Sequence, residues 1–600
     1  MNLVQRYSVS DHSAGVILNW YKSGEIAIPE IQRPFVWDST KVRNLLDSLY
    51  NGYPIGYLTI WKNPNVRLKD GKISEGKKIL IDGQQRVISL MTSILAKEIV
   101  TKDYKKTRIT ISFNPQTEKF EVFNPAIKKD VSWINDIGPI VNGEWGYTKT
   151  AKTIEDYCIK NPSADHDKIG GSIDKVRKIM DRQIGIIELE HDLDINTVTE
   201  IFIRLNSAGI QLNQADFVMS KIAANESYGG NILRKSIDYF CHLMRFPEFF
   251  DFISKEDKEF VKTDFFTKIS WLKNENDDLY NPGYADMLRV AFTSEFNRGK
   301  LSDLVSLLSG RNFETRAYEE SIAKNSFDKL KQGISNFINE TNFKRFLMII
   351  KSAGFISPDL IRSRNALNFA YILYLKLKSQ NYNPADIEKY VRRWFVLSIL
   401  TGHYSGSQES KFDFDIRNIS SRKFDEFLSD TENAELSDAY WDVALIQKLN
   451  TSVASSPYFN IFLAAQVKCN DKGFLSKDIN IRDLIIQRGD IHHIFPKDYL
   501  KSKGLKRGEY NQIANYAYTQ SEINIKVGKK SPKEYMQEML EQCNGKDLKY
   551  GGITDKNELI NNLKMNCIPE ELDKFEDYNA FLAIRRKLMT EKIKKFYYSL

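Results

Sequence analysis

Apolar side chains spaced three and four residues apart mark the first clear element of this chain. Val42, Leu45, Leu46 and Leu49 make one helical face, Asp38, Ser39 and Thr40 offer caps ahead of it, and Asn51-Gly52 ends it. The preceding stretch, Ile28 to Trp37, holds Pro29 and Pro34 and is predicted extended, because a proline turns its predecessor away from helix. Lys78 to Ile81 reads as a buried strand and Asp82-Gly83-Gln84-Gln85-Arg86 as a tight turn; Val87, Ile88, Leu90, Met91, Ile94 and Leu95 then form the inner face of a helix. Thr107 to Phe113 and Lys119 to Phe123 suggest a hairpin across Asn114-Pro115, while 139–147 and 161–171 suggest loops. Around Ser207 to Gly209 one helix ends and another begins, capped by Asn213, with Phe217, Val218 and Ile222 inward.

From Asn231 to Ala444 the pattern is mostly helical and rich in aromatics, including Phe240, Phe249, Phe250, Phe252, Phe369, Tyr371, Tyr374, Tyr390, Trp394 and Phe395. A helical domain of this size needs such rings for its core, though aromatic walls also suit an extruded base. Thr401-Gly402-His403-Tyr404-Ser405-Gly406-Ser407 interrupts this region with no chemistry that its residues suggest. The last part carries an extended Gly489 to Pro496 and finishes in a helix with Arg585, Arg586, Lys587, Lys592, Lys594 and Lys595. Such a basic helix end complements the helix dipole and offers contacts to a DNA backbone. The expected architecture is multidomain α+β and helix-rich, with domains at 1–230, 231–444 and 445–600.

The chain has 600 residues, too long for one core. Lys plus Arg exceeds Asp plus Glu by 86 to 78, which permits nucleic-acid binding without demanding it. Local clustering says more. Between 497 and 533 stand Lys497, Lys501, Lys503, Lys506, Arg507, Lys526, Lys529, Lys530 and Lys533, against Asp498, Glu509 and Glu522. Lys501, Lys503, Lys506, Arg507, Lys529 and Lys530 are the expected DNA contacts. The five cysteines have no paired spacing, which argues against a zinc knuckle or disulfide framework and suits a reducing cytoplasm. No run of about 18 apolar residues is present and the first residues lack an apolar signal region, so neither export nor membrane spanning is expected.

Two of the seven histidines, His492 and His493, are adjacent. On an extended segment they point to opposite sides and must take different partners. With Asn515 and Asn524 downstream, the series resembles the HNH (ββα-metal) nuclease finger. The resemblance implies that His492 and Asn524 bind a divalent ion, that His493 is the general base, and that Asn515 holds the His493 ring. Many members of that family carry an acidic residue where His492 stands; here Asp490 lies two residues earlier and is a further candidate ligand. Imidazole favours Mn²⁺, Ni²⁺ or Zn²⁺ over Mg²⁺, so the preferred metal stays open.

At the N-terminal end, Gln32-Arg33 on its stiff loop and the strand–turn–helix at Asp82, Gly83, Gln84, Gln85 and Arg86 are shapes that can meet phosphate, with Arg86 equally able to form an internal salt bridge. Together, Gln-Arg-Pro-Phe-Val-Trp and Asp-Gly-Gln-Gln-Arg resemble the ParB/sulfiredoxin-like domain of GmrSD-type restriction enzymes. A further match at Ile201 to Asp216 adds Arg204 and Asn206 to the implied nucleotide pocket. The resemblance implies a modification-dependent (type IV) restriction endonuclease: a nucleoside triphosphate, ATP, GTP or another, bound at the N-terminal end, and double-stranded, modified DNA cut at the other. A phosphorothioate-sensing nickase and a non-catalytic, nucleotide-switched DNA-binding protein are the alternatives. A homo-oligomer is left open.

Overall fold

The structure, a computed structural model, describes residues 5–27, 37–62, 78–100, 106–190, 214–274, 279–487, 489–575 and 577–600, with Leu193, Thr197, Val198 and Ile201 between. The expectations for Gln32, Arg33, Arg204, Asn206 and the 207–213 turn lie outside the described residues. The architecture is helix-rich with a small mixed sheet. Packing divides the chain once, into 1–234 and 235–600, and gathers the expected 231–444 and 445–600 parts into one unit. Among the described residues no helix is long and apolar enough to cross a membrane.

The first unit is built on a five-stranded sheet. Its strands are β1 (Tyr7–Ser13), β2 (Ile26–Ala27), β3 (Leu58–Lys62), β4 (Lys78–Asp82) and, much later, β9 (Gln183–Leu189), in the order β1-β9-β3-β4-β2. β1 with β9 and β3 with β4 run antiparallel; β3 with β9 and β2 with β4 run parallel. Alternation decides the two faces: Leu80, Leu58, Ile60, Ile184 and Ile186 face one core, while Ile79, Ile81, Trp61 and Leu189 face another. The first core is closed by α1 (Ala14–Lys22), α2 (Ser39–Asn51) and α3 (Gln84–Ile94), which contribute Ile17, Leu18, Leu45, Leu46, Val87 and Leu90. Phe217, from the helix Gln214–Ala224, packs on the second. The periodicity behind α2 holds: Asp38 caps it by accepting from the Lys41 N–H, and Gly52 ends it at φ 73°.

Three local expectations change. The hairpin is shorter than the apolar run suggests, pairing β7 (Ile111–Asn114) with β8 (Lys119–Val122), while β6 (Lys106–Thr107) pairs with β5 (Ile99–Val100). The 139–147 stretch starts inside a short helix, Gly138–Val141, and Tyr147 opens the next one. The 161–171 stretch is loop only at its start, because Asp165 accepts from the N–H groups of Asp167 and Lys168 and starts a helix at His166 that carries Gly170 and Gly171 within it.

In the second unit the helices Tyr284–Phe296, Glu320–Ile338, Arg364–Ser379 and Pro384–Thr401 pack around Phe240, Tyr280, Phe337, Phe343, Phe346 and Tyr371. Phe369, Tyr371, Trp394 and Phe395 have no exposed surface, so these rings build core and offer no wall to a base. The Thr401–Ser407 segment is a brace. Gly402 ends a helix at φ 67°, His403 Nε2 stands 2.9 Å from Asp415 Oδ2, and the Tyr404 hydroxyl donates to that oxygen at 2.8 Å while accepting from the Trp394 indole N–H at 2.9 Å.

Candidate active site

The adjacent histidines sit on β10 (Asp490–His493), which pairs antiparallel with β11 (Tyr516–Thr519); Asp490 stands opposite Thr519 and His493 opposite Tyr516. The helix Ser521–Val527 follows β11 directly. Two strands and a helix thereby bring His492 and Asn524, 32 residues apart, into contact: Nδ1 of the ring is 2.7 Å from Oδ1 of the amide. His492 is 2% exposed, with Phe474 stacked on its ring at 5.7 Å. Burial pushes its pKa down to about 4, against the smaller upward pull of Asn524, so the ring is neutral at pH 7. Its buried Nε2 has no hydrogen-bond partner.

That pair suits a divalent cation. Ligand atoms at right angles, each about 2.1 Å from one ion, stand about 3.0 Å apart, within a few tenths of an ångström of the spacing present. An ion held by Nδ1 and Asn524 Oδ1 would need the ring proton on Nε2, which is buried and has no hydrogen-bond partner. Among the described residues there is no cluster of three or more His, Cys, Asp or Glu that could hold a metal. Among the described residues an ion here would have one imidazole and one amide as ligands. The Asp490 side chain lies outside what the structure describes.

His493 is half-buried, and its partner differs from the one expected. Nε2 lies 2.9 Å from Oδ1 of Asn511, which fixes the proton on Nε2 and leaves the lone pair on Nδ1. Burial lowers its pKa, outweighing Asn511, which raises it; the charge of Lys497 lowers it further. Tyr516 meets the ring edge-on at 5.0 Å. Asn515 does not touch this ring. It is fully buried and works on the backbone, accepting from the Phe495 N–H at 2.8 Å and donating to the carbonyls of Phe495 at 3.0 Å and Tyr510 at 3.3 Å. Asn511, which the sequence reading did not name, is the residue that holds the ring; it stands four positions before Asn515, in the same loop and with the same side chain.

The basic surround is sorted by the fold. Lys501, Lys503, Lys506, Arg507 and Lys529 are exposed. Lys530 is engaged internally, donating at 2.7 Å each to Glu538 and to the Tyr550 hydroxyl, which removes it from the expected DNA contacts. Arg585 is a second correction. It is fully buried and donates to the carbonyls of Ala514 at 2.8 Å and Asn566 at 3.2 Å, with burial lowering its pKa to about 10. Lys592 binds Asp471 and the Met565 carbonyl, and Lys594 faces Asp438.

In the first unit the Asp82–Arg86 turn is closed on itself. Arg86 donates to Asp82 Oδ2 and to the Ile55 carbonyl, each at 2.9 Å. Gly83, at φ 91°, lets α3 begin at once; a Cβ there would stand 2.2 Å from a Leu58 methyl, and one on Gly56 would stand 2.4 Å from the Arg86 guanidinium. Gln84 and Gln85 are buried, and Gln85 Oε1 accepts from the Trp37 N–H at 3.3 Å.

Residues 15–223, which include this turn, match the family model described as GmrSD restriction endonuclease, N-terminal domain. The chain is also similar to uncharacterized protein MJ0686 of Methanocaldococcus jannaschii, with 22% identity over 646 residues, covering 95% of this chain and 96% of that one. That similarity runs through both units.

Proposed function

We propose that this chain is a metal-assisted DNA endonuclease of the restriction type, cutting at an HNH finger formed by β10, β11 and the helix Ser521–Val527. The observation that supports the reading is that neighbouring histidines take different partners: one ring is paired with Asn524, the other is neutral and held by Asn511 with its Nδ1 lone pair left over. The match of residues 15–223 to a restriction endonuclease domain supports the same class.

In this mechanism His493 Nδ1 takes the proton of the attacking water, and Asn511 stabilises the imidazolium as it forms. Asn515 keeps the loop in place by closing its backbone, and Lys506, Arg507 and Lys529 hold the phosphate chain. A divalent ion bound by His492 and Asn524 would supply charge to stabilise the phosphate oxygens. Such a finger reads backbone better than sequence, so discrimination must come from elsewhere, and we assign it to the first unit. There a ParB/sulfiredoxin-like fold would bind a nucleoside triphosphate at Asp82–Arg86 and gate cutting of modified DNA. Arg86 would have to leave Asp82 or share it with the ligand.

The test is plasmid cleavage with Mn²⁺, Mg²⁺ or chelator, with and without ATP or GTP, on modified and unmodified DNA. Metal-dependent cutting lost in His493→Ala supports the reading. Cutting that survives chelation, or persists in that variant at the wild-type rate, removes it.

A further inference from the structure

Beside the histidines lies a cleft of about 1020 Å³, which no part of the proposed reaction uses. It opens between the Lys497–Tyr510 segment, the start of the helix Pro532–Cys543 and the helix Tyr578–Tyr598. Small-ligand sites run to about 1,000 Å³, so this one is at the large end. Its walls have three features. Tyr499 and Phe575, both half-buried, bring aromatic rings to its wall, and behind them Phe495 and Tyr578 are buried and tilted together at 5.3 Å. Lys503, Lys533 and Arg586 bring three cations, none of which makes an ion pair among the described residues, with Lys503 over one face of the Tyr499 ring at 5.8 Å. The two carboxylates present are already committed to backbone: Glu509 accepts from the Lys506 N–H at 2.6 Å, and Asp577 caps the Tyr578–Tyr598 helix.

A site whose acids are occupied, whose cations are unpaired and whose lining is aromatic suits a ligand with a flat ring and a phosphate. One guanidinium nitrogen of Arg586 donates to Gln512 Oε1 at 3.3 Å, while its buried Nε has no partner. Gln512 also fixes the location, since it follows Asn511, the residue holding His493, by one position, and adjacent Cα atoms are about 3.8 Å apart.

We propose that the cleft receives one unpaired nucleotide of the substrate strand, its base against Tyr499 and Phe575 and its phosphate on Arg586, Lys503 and Lys533. The proposal rests on the endonuclease reading and names a subsite for it. Extrusion costs least at a mismatched or modified base, so the cleft would favour such positions where the duplex is weakened.

The experiment uses the full chain carrying His493→Ala, so that binding is observed without cutting, and duplexes with 2-aminopurine at successive positions. A fluorescence rise of several fold at one position is expected, falling about tenfold in apparent affinity with Arg586→Gln or Tyr499→Ala. Circular dichroism checks the fold of both variants. Duplex binding with no rise at any position overturns the proposal and leaves the endonuclease reading intact. Failure to bind any duplex overturns both. Tight binding of free mononucleotides that Arg586→Gln abolishes, with no rise in the duplexes, reassigns the cleft to a soluble effector and overturns it as a strand site.

Discussion

At Asp82–Arg86 the cation of the turn is closed onto its own neighbours, Asp82 and the Ile55 carbonyl, whereas at His492–His493 each ring is held by one nitrogen, leaving Nε2 of His492 buried without a partner and Nδ1 of the half-buried His493 with its lone pair. Both are strand–turn–helix or strand–strand–helix junctions crowded with polar side chains, and both look like sites in the sequence. What separates them is saturation. A cation already paired with a carboxylate must share or break that contact before it meets an anionic ligand, while a ring held through one nitrogen keeps the lone pair of the other.

Four substitutions or conditions test that contrast, beginning with the largest effect. His493→Ala should lower cleavage by about 10² to 10⁴ without loss of helix signal, as removal of a general base does; an unchanged single-turnover rate would remove His493 from the chemistry. Asn511→Ala should lower it by about 10- to 100-fold, comparable to the loss of other orienting partners. It should also shift the acid limb of the pH–rate profile downward, because Asn511 raises the His493 pKa and its loss lets burial pull the value lower. If only the rate falls and the limb stays put, Asn511 does not set the proton on that ring.

Stability should fall on acidification because of His492. Its folded pKa, about 4, is below the ordinary 6.5, so the unfolded chain gains a proton first as the pH drops. The contribution is full above about pH 6.5 and is lost toward pH 4, to a maximum of about 3 kcal/mol. Urea unfolding from pH 7 to 4.5 measures it, and His492→Gln should flatten the curve across that window. The smallest change is expected at the closed turn: Arg86→Ala should destabilise the first unit by about 1.5 to 3 kcal/mol through its lost charge-assisted bonds. A melting point that does not move, with nucleotide affinity abolished in calorimetry, would invert the comparison and make the turn the more open of the two.

The sequence carried local periodicity well and tertiary partner choice poorly. α2, β4 and α3 follow from apolar spacing and caps, and Gly83 from the abrupt start of a helix. The pairing of His492 with Asn524 followed from the finger pattern. Asn511 and Asn515 could not be told apart, since the same amide in one loop serves a ring in one case and backbone in the other, and only the path of the chain decides. Arg585 was legible and was missed. It falls on the stripe of Tyr578, Phe581, Leu582, Met589 and Ile593, all buried, so helical spacing alone places its charge inward.

Arg585 also sets an order of events. Its guanidinium ties the Ala514 carbonyl, 71 residues earlier, to a helix whose Tyr578 also donates to the carbonyls of Glu509 and Tyr510. During synthesis the histidines and Asn511 leave the ribosome well before this clamp is made. The loop around Asn511 is therefore fixed from two sides by contacts that cannot form until the helix Tyr578–Tyr598 has been made.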